Sequence, residues 1–239
     1  MESDIKLRYK RILLKLSGEA LAAGAKGSIF NCDVVDGICA SIKQLSDIGV
    51  QVAIVVGAGN IWRGRQGSDM ERTSADHMGM LATTINAIAL QESLRRMGAD
   101  ARVMTAVAMP AFAETYARDR AVHHLSKGRI VIFGCGIGNP FFSTDTAAML
   151  RAAEINADVV MMGKNIDGVY TADPRIDPSA KKLDHISYME ILSNDLKVID
   201  STAASFGNEN KMPLLVFGMD DPDNLFKAVS GENVGTIIN

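Results

Sequence analysis

The 239-residue sequence predicts an α/β fold, a central, mostly parallel sheet covered on both faces by helices as a three-layer αβα sandwich. Three observations carry that prediction. Short runs rich in Val, Ile and Leu alternate with helical periodicities along the whole chain, and strands that are apolar throughout belong to sheets buried on both faces. Glycine-bearing loops follow several of these runs, at the strand ends where ligands of such sheets bind. With 47% hydrophobic residues and no linker, repeat or low-complexity stretch, the chain reads as one domain over residues 1–239.

The elements follow in order. Residues 11–16 (RILLKL) form a strand, and the turn Ser17-Gly18-Glu19 leaves Lys15 at its C-terminal end, either as a surface charge or facing a crevice. Val35, Ile38, Ile42 and Leu45 mark one face of a helix over 33–48, closed by Gly49. The strand at 50–56 runs into the loop 57–64 (GAGNIWRG), whose third glycine is misplaced for a dinucleotide fingerprint. Arg63 on that loop has two readings, a surface ion pair or a bidentate grip on phosphate oxygens. Asp76 reads as the N-cap of a long helix that carries Met78, Leu81, Ile85 and Ile88 on one face and ends near Gly98. The methionines at such spacing read as core filler. A strand at 101–105 precedes a short helical region over 111–118, and His123-His124 reads as part of a polar connection.

The strand at 129–133 leads into Gly134-Cys135-Gly136-Ile137-Gly138, where missing side chains let the backbone approach a ligand. Asp145 then reads as the cap of a helix over 146–155, with the Ser143 and Thr144 hydroxyls beside the free N–H groups of its first turn, a setting for an anion. The strand at 158–162 feeds the loop 163–170, and the segment 174–183 reads as a surface excursion. Ser187 and Glu190 form a capping-box pattern, Asp200 precedes another helix, 214–217 is a late strand, Asp221-Pro222 opens the last helix and 236–238 a terminal strand.

Composition narrows the function. A formal net charge of −3 argues against a general nucleic-acid binder. Cys32, Cys39 and Cys135 are odd in number and show no CxxC spacing, so neither a disulfide framework nor a zinc site is expected, in keeping with the cytoplasm. His77, His123, His124 and His185 lack metal-ligand spacing and read as surface or capping residues. No apolar run reaches the roughly 20 residues that span a bilayer, and no signal-peptide pattern opens the chain. Walker A and protein-kinase signatures are absent.

Five stretches together resemble the bacterial uridylate (UMP) kinases of the amino-acid kinase fold family. They are KLSGEAL at 15–21, the loop 57–64 with Asn60 and Arg63, DHMGM at 76–80, GNPFFSTD at 138–145 and DGVYTADP at 167–174. The first and last are shared across the broader family, whereas DHMGM with GNPFFSTD is particular to the uridylate branch. The resemblance covers essentially the whole chain and implies transfer of the γ-phosphoryl group of Mg²⁺-bound ATP to UMP, giving ADP and UDP for pyrimidine nucleotide synthesis. It implies that Lys15, Leu16, Ser17, Gly18, Gly59 and Arg63 meet the ATP phosphates and that Asn165, Tyr170 and Asp173 hold the adenosine. Gly57, Ala58, Asp76 and the run Ile137, Gly138, Asn139, Pro140, Phe141, Phe142, Ser143 and Thr144 would hold UMP. Lys15, Arg63, Asp145 and Asp200 form the implied catalytic set, with the two aspartates orienting Lys15 and the magnesium-bound phosphates. The acceptor belongs to a part spanning about 1–150 and ATP to a part spanning about 151–239.

Ala58 stands where the family commonly has a glycine, and the resemblance carries no contact onto Lys164. A homohexamer, activation by GTP and inhibition by UTP are typical of the family, with Arg102 and Arg129 either effector-site candidates or surface charges. Two alternatives stand beside this reading: an acyl-phosphate-forming amino-acid kinase of the same fold, and a non-catalytic regulator that binds uridine nucleotides. The DHMGM run and Phe141-Phe142 speak against the first, and the four charges of the implied catalytic set against the second.

Overall fold

The structure is a computed structural model that describes residues 7–25, 27–62, 69–174, 176–219, 221 and 223–239. Its strands are β1 (Arg11–Leu16), β2 (Gln51–Val56), β3 (Ala101–Thr105), β4 (Glu114–Thr115), β5 (Ile130–Gly134), β6 (Val159–Lys164), β7 (Val169–Tyr170), β8 (Lys182–Leu183), β9 (His185–Ile186), β10 (Leu214–Gly218) and β11 (Gly235–Ile238). The helices are α1 (Gly18–Leu21), α2 (Cys32–Asp47), α3 (Arg72–Arg96), α4 (Arg118–Ser126), α5 (Thr144–Glu154), α6 (Tyr188–Ser193), α7 (Ser201–Asn210) and α8 (Asn224–Ser230). Nine strands form one sheet in the order β4-β3-β5-β2-β1-β6-β10-β11-β9, parallel except where β11 returns against β10, while β7 and β8 pair separately.

Alternation along each strand divides the core between the two faces. Leu13, Val55, Val160 and Met162 point to one side, where they pack with Ala147, Ala148 and Met149 of α5 and with Ala203 and Ala204 of α7. Ile12, Leu14, Ile54 and Met161 point to the other, against Ile42 of α2, Leu90 of α3 and Val229 of α8. This is the expected three-layer sandwich. The small side chains of α5 let its backbone lie close over β1, which brings the helix start down to the C-terminal edge of the sheet.

Several expectations need correction. Glu71, not Asp76, caps α3, its carboxylate accepting from the Ser74 N–H at 3.0 Å, so Asp76 lies inside the helix. The face of α3 bearing Met78, Leu81, Ile85 and Ile88 is exposed, Leu81 by 52%, while Thr83, Thr84, Asn86 and Leu90 turn inward. Of the methionines on helices, Met149 fills the core as expected but Met78 is exposed, while Met104, Met161 and Met162 fill it from strands. Residues 111–118 hold the short strand β4 instead of a helix, and the next helix begins at Arg118 and includes both His123 and His124. His124 is buried, with its Nε2 3.0 Å from Glu114 Oε2, and is neither a surface nor a capping residue. Ser143, not Asp145, caps α5. Asp223 stands at the N-cap position of the last helix without a side-chain capping bond, Asp221 accepts from its N–H at 2.9 Å, and Pro222 lies outside the described residues. The capping box of Ser187 with Glu190 and the cap at Asp200 are present as read.

Candidate active site

The site lies where β1, β2, β5 and β6 end together. Lys15 sits on the central strand with its Nζ 2.7 Å from Asp145 Oδ1, both side chains largely buried. Burial alone would raise the Asp145 carboxyl, but the ammonium groups of Lys15 and Lys164 outweigh it and hold the carboxyl below the usual carboxylate range. Because Ser143 takes the cap, accepting from the N–H groups of Asp145 at 3.0 Å and Thr146 at 3.2 Å, the Asp145 side chain is left to pair with Lys15.

Asp200 anchors the same helix start from α7. Its carboxylate accepts from the hydroxyls of Ser143 and Thr146, the latter at 3.1 Å, and caps α7 through the Ala203 N–H at 3.0 Å. The structure therefore places Asp200 behind the Lys15–Asp145 pair as a clamp between two helices.

The first two glycine loops interlock. A Cβ on Gly18 would stand 2.6 Å from Asn60 Oδ1 and 2.7 Å from Gly57 O and Gly59 N, so only glycine fits. Asn86, fully buried on α3, donates to Gly57 O at 2.7 Å and exchanges amide hydrogen bonds with Asn60 at 2.8 and 3.0 Å. The Leu16 carbonyl accepts from the Gly57 N–H at 2.9 Å. Asn86 is the residue that sequence reasoning missed here; an asparagine within a helix gives no local sign of a partner 29 residues away.

The central loop holds two non-glycine residues at positive φ, Cys135 at 62° and Phe141 at 73°, besides Gly136 and Gly138. Each strained residue is tied from α3. Cys135 donates its N–H to Thr83 Oγ1 at 2.8 Å, and its thiol lies 3.2 Å from Thr84 Oγ1. Phe141 donates its N–H to Asp76 Oδ2 at 2.8 Å and carries the Arg72 guanidinium 5.3 Å above its ring. Arg72 Nε also meets Asp76 Oδ2 at 2.7 Å.

Two cavities flank the charge pair. The smaller, about 130 Å³, is lined by Ala58, Asp76, Ile137, Asn139, Phe142 and Thr144 among others, which brings together six of the residues expected at the acceptor. Gly57, Gly138, Pro140, Phe141 and Ser143 shape its loops without lining it. The larger, about 470 Å³, is lined by Asn165, Tyr170 and Asp173, the three residues the resemblance assigns to the adenosine, and also by Lys164, Val198 and Val216. Tyr170 donates its hydroxyl to Asp167 Oδ1 at 2.8 Å, and Lys182 meets Asp167 Oδ2 at 3.0 Å. Lys15, Ser17, Gly18 and Gly59 stand off this cavity, at the crossing of the first two loops. Arg63 lies outside the described residues.

Known proteins resemble the chain over nearly its whole length. The amino acid kinase family matches over residues 10–218. A UMP kinase structure from Bacillus anthracis is 40% identical with a TM-score of 0.93, covering 97% of this chain and 96% of that one. A UMP kinase from Ureaplasma parvum is 36% identical with a TM-score of 0.92, covering 98% and 100% respectively. A uridylate kinase from Archaeoglobus fulgidus is 31% identical with a TM-score of 0.71, covering 95% and 99%. The sequence match, the parallel sheet and the glycine loops at its edge agree, and the chain belongs to the amino acid kinase family.

Proposed function

We propose that the chain transfers the γ-phosphoryl group of ATP to UMP, producing ADP and UDP in pyrimidine nucleotide synthesis. The observation that carries this reading is the placement of the Lys15–Asp145 pair. Asp145 follows Thr144, which lines the smaller cavity, and its charge is felt by Lys164, which lines the larger. Transfer between two phosphates needs in-line positioning and neutralisation of developing charge, with no general base because the acceptor phosphate is already ionised. Among the described residues, those lining the smaller cavity fall within 58–144 and those lining the larger within 164–216, which supports an acceptor-binding part over about 1–150 and an ATP-binding part over about 151–239.

In this reading Ser17, Gly18, Gly59 and Arg63 join Lys15 on the phosphates. Asp76, held inside α3 and bonded to the Phe141 N–H, presents its carboxylate to the acceptor cavity. Magnesium enters as part of the substrate, on the ATP phosphates. Such an ion is commonly held by one or two carboxylates besides the phosphates and water, and Asp145 and Asp200 are the carboxylates that the resemblance sets against the magnesium-bound phosphates. Among the described residues no three His, Cys, Asp or Glu side chains form a metal-binding group.

The finer setting is also proposed. The exposed face of α3 with Met78, Leu81, Ile85 and Ile88 supports assembly of copies, the hexamer typical of the family. Arg102 and Arg129 both pair with Asp100 at 2.7 Å, so a site there for GTP or UTP competes with those ion pairs. The cytoplasm is proposed as its place of action; the three cysteines are free, and among the described residues no helix is long and apolar enough to cross a membrane.

A coupled assay of ADP release with UMP, CMP, dUMP and acetylglutamate as acceptors tests the reading. UMP as the preferred acceptor is the expected result. Turnover with acetylglutamate alone would assign an acyl-phosphate kinase, and binding of uridine nucleotides without any turnover would assign a regulator.

A further inference from the structure

Lys164 ends β6, a strand otherwise apolar apart from Gly163 and buried up to that point. The register between β1 and β6 pairs Lys15 with Met162. Alternation then puts Lys164, two residues further on, on the same face as Lys15, toward α5 and nearer the sheet's edge. Burial lowers the Lys164 ammonium from the ordinary lysine value, Lys15 lowers it further, and Asp145 and Asp200 oppose that effect. Its one hydrogen bond among the described residues goes to a neutral acceptor, Val198 O, at 2.9 Å. A half-buried ammonium at the wall of the larger cavity, hydrogen-bonded directly to a carbonyl and sharing the charges of Asp145 and Asp200 with Lys15 and the helix starts, is placed to meet an anionic ligand there.

We propose that Lys164 is a second cationic contact of the reaction, holding the β-phosphate of the donor and the oxygen that leaves with ADP. This deepens the proposed function and rests on it. In the transfer, a phosphate oxygen of UMP forms the new bond to the γ-phosphorus as the bond from that phosphorus to the β,γ-bridging oxygen breaks. The electron pair of the broken bond stays on the oxygen that becomes part of the ADP β-phosphate, and no proton has to move. Charge therefore accumulates on the donor side, where Lys164 stands, while Lys15 on the neighbouring strand serves the group in flight. Asp145, felt by both ammonium groups, keeps the two like charges together before substrate arrives.

The test compares the full-length wild type with Lys164→Gln and Lys164→Arg. Lys164→Gln removes the charge and shortens the side chain by one bond, so thermal midpoints report whether the tie to the Val198 carbonyl is lost with it. Calorimetric titration with ADP and AMP isolates the β-phosphate, and steady-state kinetics with ATP and UMP reads the reaction. The expected result for Lys164→Gln is ADP affinity down about tenfold with AMP affinity unchanged, and kcat down about 100-fold with KM for UMP within twofold. Lys164→Arg should keep ADP affinity within about threefold. An ADP loss under twofold in Lys164→Gln, or equal losses in both variants with lowered thermal midpoints, overturns the proposal. A wild type that binds ADP but does not phosphorylate UMP refutes the proposed function, and the ADP and AMP titrations then judge Lys164 by themselves.

Discussion

The two cavities are built by opposite means. Around the smaller one, the loops are sewn to α3 and α7 by side-chain hydrogen bonds: buried Asn86 to Gly57 and Asn60, buried Thr83 to Cys135, and half-buried Asp76 to Phe141 and Asp200 to Ser143. The larger one is walled by β6 and the loops around it, and ion pairs such as Asp167 with Lys182 and Asp195 with Lys197 lie at the protein surface. Exposed pairs of this kind contribute about 0–1 kcal/mol, whereas the buried bonds from Thr83 and Thr84 hold the strained backbone of Cys135 in place. The difference teaches where selectivity is to be sought. In the proposed function, the preformed polar site rejects the wrong acceptor, and the open cavity, within the roughly 300–1,000 Å³ common for small-molecule pockets, admits the donor.

The largest effect is expected at the seam between the two regions. Asp145→Asn removes the charge that Lys15 and Lys164 share and leaves two ammonium groups facing each other. Breaking such a buried pair costs about 3–5 kcal/mol of stability, and loss of the preorganised geometry lowers kcat by about 10²–10³. Urea denaturation and single-turnover kinetics measure the two losses. A stable variant with more than a tenth of the wild-type kcat would mean that the two regions do not meet at Asp145.

A pH profile sharpens the donor side. Lys164 acts in its protonated form, and its ammonium is held below the ordinary lysine value by burial. Its share of kcat is therefore complete at lower pH and lost as pH rises through that depressed value. Its effect on folding has the opposite sign, because the unfolded chain binds the proton more tightly across the same window, so stability rises with pH there. Lys164→Arg should move the alkaline fall in kcat upward and remove the accompanying gain in stability. Coincident profiles for the two proteins would assign the alkaline limb to another group.

On the acceptor side, Asn86→Ala deletes the amide that binds Gly57 O and pairs with Asn60. The orphaned groups should cost about 2–4 kcal/mol, which lowers the thermal midpoint by about 2–4 °C per kcal/mol in a protein of this size. Because Gly18 packs directly on Gly57 and Gly59, both KM values should rise together. A rise confined to UMP would show that the interlock does not reach the donor phosphates.

Much of this arrangement is legible in the sequence, and the illegible part has a consistent cause. Strand β1 falls where its apolar run ends, and the capping box of Ser187 with Glu190 and the cap at Asp200 are read correctly, because the signal for each lies within four residues. The start of α3 is misplaced because Glu71 can cap a helix as Asp76 can, and the polar turn at 72–75 hides the choice. Its apolar stripe of Met78, Leu81, Ile85 and Ile88 points outward because the inner face is built from Thr83, Thr84 and Asn86, which serve the loops beneath. The contacts of Asn86, His124 and Lys164 are illegible for one reason: their partners Asn60, Glu114 and Val198 lie 26, 10 and 34 residues away, where no spacing rule reaches.

The smallest effect separates two duties of a single carboxylate. Asp76 does not cap α3, so the ordinary reason for an aspartate at a helix start is gone. What it does in the structure is accept from the Phe141 N–H and pair with Arg72 at the wall of the acceptor cavity. If that is its whole role, Asp76→Asn keeps an oxygen for the Phe141 N–H and loses only the ion pair, and every acceptor should be affected alike. In the proposed function its charge also accepts hydrogen bonds from the ribose hydroxyls of UMP. A site made to bond a hydroxyl discriminates against the analogue lacking it, because the desolvated acceptor is left without a partner. The wild type should therefore prefer UMP to dUMP, and Asp76→Asn should shrink that preference by about tenfold, roughly 1.4 kcal/mol, mainly through the loss for UMP. The measurement is kcat/KM for both nucleotides in both proteins, with KM for ATP as the control that the donor side is untouched. An unchanged UMP to dUMP ratio would confine Asp76 to holding the turn at Phe141 and move sugar recognition to the loop between Ile137 and Thr144.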